Sequence, residues 1–110
     1  MDVKARRIVL LRLENGSSLF EEWMKGIRSS KHKRVIDARL IRVRNGNFGD
    51  HKYLGEGVYE LRIFVGPGFR VYYGLDGDTI IVLLGGGSKH TQNKDIKTAK
   101  DIWRKYGDEN

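Results

Sequence analysis

The chain has 110 residues, 39% of them hydrophobic, with no cysteine and a formal charge of +7 from 21 Lys and Arg against 14 Asp and Glu. That length suits one core rather than two. No apolar run approaches the ~20 residues of a membrane-spanning helix, and without cysteine there are no disulfides, no thiol catalysis and no cysteine-ligated zinc. Residues 1–44 carry 12 basic and 5 acidic side chains, whereas 45–110 carry nine of each. The excess therefore lies wholly in the N-terminal part, densest over 25–44, and points to an anionic partner, nucleic acid before an acidic protein segment. The start is basic, but the apolar run after it is broken by Arg12 and Glu14, which argues against a signal peptide and for cytoplasmic residence.

In chain order, residues 6–13 read as a strand, and Asn15-Gly16 breaks it. Ser18 and Glu21 have capping-box spacing ahead of Phe20, Trp23, Met24 and Ile27, which recur at helical intervals. A second helix is predicted over 31–44, with Ile36, Leu40 and Val43 on its buried side and Asn45-Gly46 closing it. Residues 46–57 read as a glycine-rich polar loop bearing His51 and Lys52. Two alternating runs, 58–65 and 69–75, flank Gly66-Pro67-Gly68 and predict a hairpin. A three-residue loop there pairs Phe64 with Arg70 and Arg62 with Tyr72. Asp76-Gly77 marks a turn into an interior strand over 79–84, which Gly85-Gly86-Gly87 ends. A last helix over 95–106 packs Ile96, Ala99, Ile102 and Trp103. The order β-α-α-β-β-β-α predicts an α+β domain: a twisted, mainly antiparallel four-stranded sheet with the two N-terminal helices on one face and a C-terminal helix.

The hairpin carries the most chemistry. Arg62, Arg70 and Tyr72 share one face, and two fixed cations beside a ring suit a phosphate with a base stacked next to it. The plainer reading is that these are solvated arginines on an outer face, with Glu60 neutralising one of them. His32, between Lys31 and Lys33, reads as part of the basic helix face. The three histidines are scattered and suggest no metal site, and the stretch from Gly85 to Lys89 lacks phosphate-loop spacing.

A basic helical pair, then Gly49-Asp50-His51-Lys52-Tyr53-Leu54-Gly55, Tyr59-Glu60-Leu61-Arg62-Ile63, Gly66-Pro67-Gly68-Phe69-Arg70-Val71-Tyr72-Tyr73, and the run from Ile81 to Lys89 before a helix with Asp95-Ile96 and Ala99 together resemble the RelE/ParE toxin superfamily. The similarity is greatest to its HigB-like branch of phage-related addiction module killer proteins. It covers the whole chain and implies one toxin domain over 1–110, paired with an antitoxin, often a helix-turn-helix protein from the adjacent gene. RelE-like members cut messenger RNA on the ribosome, whereas ParE-like members poison DNA gyrase. The resemblance thus implies a ribosome-dependent endoribonuclease (mRNA interferase) that arrests translation. The alternatives are a gyrase inhibitor or a non-catalytic RNA- or antitoxin-binding module.

Under that resemblance, RNA cleavage without metal or cofactor needs a base for the 2′-OH, stabilisation of phosphoryl charge and an acid for the leaving 5′-oxygen. Arg62 and Arg70 suit the stabilising role. Lys52 suits the base where neighbouring cations disfavour its charge, and His51 competes for that role because imidazole changes charge near neutrality. Lys89 and His90 follow the last strand, where RelE-like enzymes place another functional side chain, several of them a tyrosine. Lys31, Lys33, Arg34, Arg42, His51 and Tyr72 are the expected RNA-binding residues.

Overall fold

Alternating side chains divide the central strands between two apolar layers. Leu61, Ile63, Phe69, Val71, Tyr73, Ile81 and Leu83 pack with Phe20, Ile36 and Val43 on one side. Val58, Tyr72, Val82 and Leu84 pack with Ala99 on the other. The computed structural model of the protein describes residues 6–109; residues 1–5, where the basic start weighed against a signal peptide falls, lie outside the described residues. The elements are β1 (Arg7–Leu10), α1 (Leu19–Gly26), α2 (Ser30–Arg44), β2 (His51–Gly55), β3 (Val58–Ile63), β4 (Phe69–Asp76), β5 (Ile80–Ser88), a 3-10 turn (Lys89–Thr91) and α3 (Gln92–Glu109). Helices α1 and α2 cover the first layer, and α3 covers the second. This is a small α+β arrangement of three helices and a five-stranded mixed sheet, ordered β1-β5-β4-β3-β2. No helix among the described residues is long and apolar enough to cross a membrane.

The helix boundaries follow from their caps. Ser18 Oγ accepts the Glu21 N–H at 3.2 Å and Ser29 Oγ accepts that of His32 at 3.1 Å, satisfying donors that would otherwise be orphaned. The sheet is mainly antiparallel, as expected, but differs from the four-stranded expectation in two ways. β1 is shorter than predicted and runs parallel to β5, pairing Ile8 with Ile81 and Leu10 with Leu83. β2 is a strand where a loop was expected. It lies at the sheet edge with His51, Lys52 and Tyr53 exposed, so its composition is that of a loop. Glu56 and Gly57, both at positive φ (54° and 83°), turn it back into β3 in the manner of a primed hairpin turn.

The β3–β4 register also differs. Ile63 pairs with Phe69, Arg62 with Arg70 and Glu60 with Tyr72, leaving residues 64–68 as a five-residue loop. Gly68 N–H donates to Val65 O at 3.0 Å, and Gly66 and Gly68 both take positive φ, which fixes this longer loop. Relative to the expected pairing the shift is two residues, so every side chain keeps its predicted face. Phe64 is left 80% exposed at the tip.

Gly85-Gly86-Gly87 does not end the last strand; β5 continues to Ser88. The Trp23 indole lies directly on Gly86, and Asp95 with Thr91 lies on Gly87, so absent side chains let α1 and the start of α3 approach the sheet. A bulge between Tyr72 and Tyr73 sets Leu84 as the extra residue and brings Gly87 opposite Arg70. Gly86→Ala drives a Cβ into the indole and is expected to destabilise by about 1–3 kcal/mol. Gly26→Ala, where an added Cβ meets nothing within 4 Å, is the near-neutral control. Urea denaturation of both variants checks this.

Candidate functional site

Glu60 sits in the middle of β3, on the face covered by α3, and is 0% exposed. A carboxylate removed from water has to be paired and hydrogen-bonded. Arg62 Nε donates to its Oε1 at 3.1 Å, and Gln92 Nε2 donates to its Oε2 at 2.9 Å. Arg70 Nε stands 3.6 Å from Oε2, an ion pair slightly too long for a hydrogen bond. These partners come from β3, β4 and the first residue of α3. Each arginine faces the carboxylate through Nε, and no protein hydrogen bond among the described residues engages either pair of Nη groups. With side chains 34% (Arg62) and 16% (Arg70) exposed, both guanidinium forks remain available to an oxyanion.

The register sets what surrounds them. Lys52, Glu60, Tyr72 and Gly85 form one cross-strand row, and Arg62, Arg70 and Gly87 form the next. Residues opposite one another share a face, so Lys52 stands on the arginine face, exposed at the edge-strand end of its row. His51, one residue earlier, belongs to the other face. Its ring meets Phe48 at 5.6 Å and its Nδ1 lies 2.9 Å from Gly49 O. Lys89 and His90 are exposed in the 3-10 turn just past the Phe69–Ser88 pair, one step beyond the arginine row.

Tyr72 departs from its expected role. It is fully buried beneath α3 and offers no ring for a base to stack on. Its Oη has no hydrogen-bond partner of good geometry, and burial, then the nearby Glu60 carboxylate, pushes its pKa well above the usual phenol value. It forms the floor under the arginines. The basic helix is likewise separated from them: Lys31, Lys33, Arg34 and Arg42 all lie on α2, across the sheet. None of the four has an ion pair among the described residues.

No protein-family model matches the sequence. An uncharacterized protein of Haemophilus influenzae is 42% identical over 88 residues, which cover 80% of this chain and 89% of that protein. The chain belongs to the same family as that protein.

Three contributors to the site in this family member lie beyond the sequence reading. Arg39, 9% exposed, places its Nη2 within 3.2 Å of the Phe48 and Arg62 carbonyls and 3.3 Å of the Asp50 carbonyl. It thereby ties the loop before β2 to the backbone of Arg62. Burial, then Arg42, lowers its pKa, while Asp50 and Tyr73 pull the other way. Its signal was available, because a basic residue sits within the stripe of Ile36, Leu40 and Val43. Gln92 reaches Glu60 across 32 positions, and nothing local marks it. Asp95 lies over Gly87, the cross-strand neighbour of Arg70, and accepts a 2.5 Å hydrogen bond from Thr91 Oγ1.

Two stability tests follow from this geometry. Glu60→Gln removes the charge that both arginines share and is expected to destabilise by about 1–3 kcal/mol, measured by chemical denaturation. Tyr72 and Tyr73 are both buried, with pKa values raised chiefly by desolvation. In the unfolded chain they ionise near pH 10, whereas in the folded chain they stay protonated. Their contribution is therefore level below about pH 10 and declines above it, by up to ~1.4 kcal/mol per pH unit for each tyrosine. The decline continues until the raised native pKa values are passed. Denaturation series from pH 8 to 11 should show the fall beginning near pH 10, and Tyr73→Phe should reduce its slope.

Proposed function

We propose that this protein is the toxin of a type II toxin–antitoxin pair, a metal-independent, ribosome-dependent mRNA endonuclease of RelE/ParE type that arrests translation. The supporting observation is the pair Arg62 and Arg70, facing one buried carboxylate through Nε with their Nη forks unengaged. Such a pair matches the non-bridging oxygens of a phosphodiester, where charge accumulates as the neighbouring 2′-oxygen attacks phosphorus. The 2′-OH loses its proton, the new O–P bond forms, and the bond to the 5′-oxygen breaks. The products are a 2′,3′-cyclic phosphate and a 5′-hydroxyl. Lys52, on the same face, takes the 2′ proton, and Lys89 or His90 at the end of β5 returns one to the leaving oxygen. No cofactor is invoked.

On this reading the cations of α2 hold ribosomal RNA while the arginine face addresses the message in the cytoplasm. The separation of the two sets by the sheet suits a substrate presented inside a large assembly. An antitoxin, in the form of a helix-turn-helix protein from the adjacent gene, neutralises the toxin.

Purified protein added to translating ribosomes should create discrete new 5′ ends on a reporter message. Arg70→Ala should lower cleavage by about 10²–10³-fold with an unchanged circular dichroism spectrum, and Arg62→Ala should act in the same direction. Gyrase supercoiling should be unaffected. Intact message in the presence of well-folded protein, or inhibited supercoiling, overturns the proposal.

A further inference from the structure

On the α1/α2 side of the sheet, a cleft of about 570 Å³ opens where the end of α1, the start of α2 and the loop at residues 64–68 meet. Trp23, His32 and Phe69 supply its aromatic lining and Pro67 forms a lip, while Ile27 and Arg28 complete the wall. The rings brace one another. Trp23 meets Phe69 edge-on at 5.9 Å, and His32 meets Phe69 edge-on at 5.4 Å. Trp23 is seated on Gly86, and His32 lies against Gly66 so closely that a Cβ there would collide with the imidazole. His32 is therefore a half-buried wall of this cleft as well as a member of the basic helix. The cleft is preformed, because its walls are fixed by contacts that no occupant has to create.

Charge says what it would take. Arg28, in its wall, is exposed with no ion pair among the described residues, and Glu22, which also lines the cleft, is paired with Lys25 at 3.9 Å. Flat aromatic walls beside an unpaired arginine suit a planar ring attached to an anion, which is the chemistry of a nucleotide. Position agrees. Phe69 directly precedes Arg70, and the Ile63–Phe69 pair adjoins the Arg62–Arg70 pair, so cleft and arginines occupy the same end of the sheet on opposite faces. Between them projects the tip with Phe64, 80% exposed, over which a single strand would cross.

We propose that this cleft is a nucleobase pocket: it holds one base of the single-stranded RNA whose neighbouring phosphate engages Arg62 and Arg70. The proposal rests on the reading of the protein as an RNA-cleaving toxin and adds a second contact with its substrate. Specificity for a base near the cut would then reside in Trp23, His32 and Phe69, on the opposite side of the sheet from the chemistry.

Binding of a short, labelled single-stranded oligoribonucleotide, followed by fluorescence anisotropy, tests this apart from catalysis. Gly26 lines the cleft, has open space where a Cβ would go and does not take positive φ, so Gly26→Phe fills the pocket from outside the core. The expected result is about tenfold weaker binding by Gly26→Phe, and by the native protein to an oligonucleotide of the same length bearing abasic sites. Gly26→Ala should bind as the native protein does. In a Trp103→Phe background, Trp23 is the one tryptophan left, and its emission should change with the native oligonucleotide and not with the abasic one. Equal affinity for both oligonucleotides, or native affinity in folded Gly26→Phe, overturns the pocket. If the message is cut on ribosomes while these binding differences are absent, the pocket alone fails. If the differences are present and no message is cut, the nuclease reading fails and the pocket stands.

Discussion

The buried carboxylate of Glu60 is the constraint around which the α3 side of this fold is arranged. Removing such a group from water costs several kcal/mol unless charge and hydrogen bonds replace its hydration. Here the replacements are Arg62 from the same strand, Arg70 from the next and Gln92 from the helix above. Satisfying Glu60 therefore fixes the β3–β4 register and the point where α3 begins. A single-residue slip would turn Glu60 into the opposite apolar layer, among Leu61, Val71 and Tyr73. The same interaction gathers two like charges in one place, since each guanidinium is stabilised by the carboxylate between them.

Close approach of the layers depends on what the strands omit. Trp23 rests on Gly86 from one side, and Trp103 rests on Gly74 from the other. Each indole fills space that a β-carbon would occupy, so both helical layers sit near the backbone. The bulge opposite Tyr72 and Tyr73 lets β5 place Gly86 toward Trp23 and Gly87 toward Asp95 in succession. Arg39 performs a comparable task at the β2 end, where its guanidinium gathers the carbonyls of Phe48, Asp50 and Arg62.

The sequence made the faces legible and the pairings less so. Period-two alternation sorted Tyr59, Leu61 and Ile63 from Glu60 and Arg62, and Ser18 with Glu21 marked a helix start, because both signals are local. The register of the hairpin was not local. It depended on two glycine conformations and on Ile63 seeking Phe69, so a two-residue shift left the pattern unchanged. β2 went unseen because an edge strand needs little apolar surface, and His51-Lys52-Tyr53 has little. The candidate site was legible to the extent that two arginines share a face. That Tyr72 lies in the floor depended on α3 covering it, and the part of Gln92 depended on a contact between distant elements.

Lys52 and Arg62 are exposed to different degrees along one face, whereas the cations of α2 are held across a sheet and an apolar layer. Charges so placed reinforce one another only weakly through solvent, because packed layers lie about 10 Å apart, more than the ~8 Å over which physiological salt screens. The basic helix therefore cannot serve as the electrostatic partner of the arginine pair. On the proposed function it would contact a different part of the RNA that the arginines address, and the tip at Phe64 is the boundary between the two surfaces. A polyanion that engages both must bend around that tip or be large enough to surround the domain. Both demands fit single-stranded RNA held within a larger assembly better than they fit a small phosphorylated ligand.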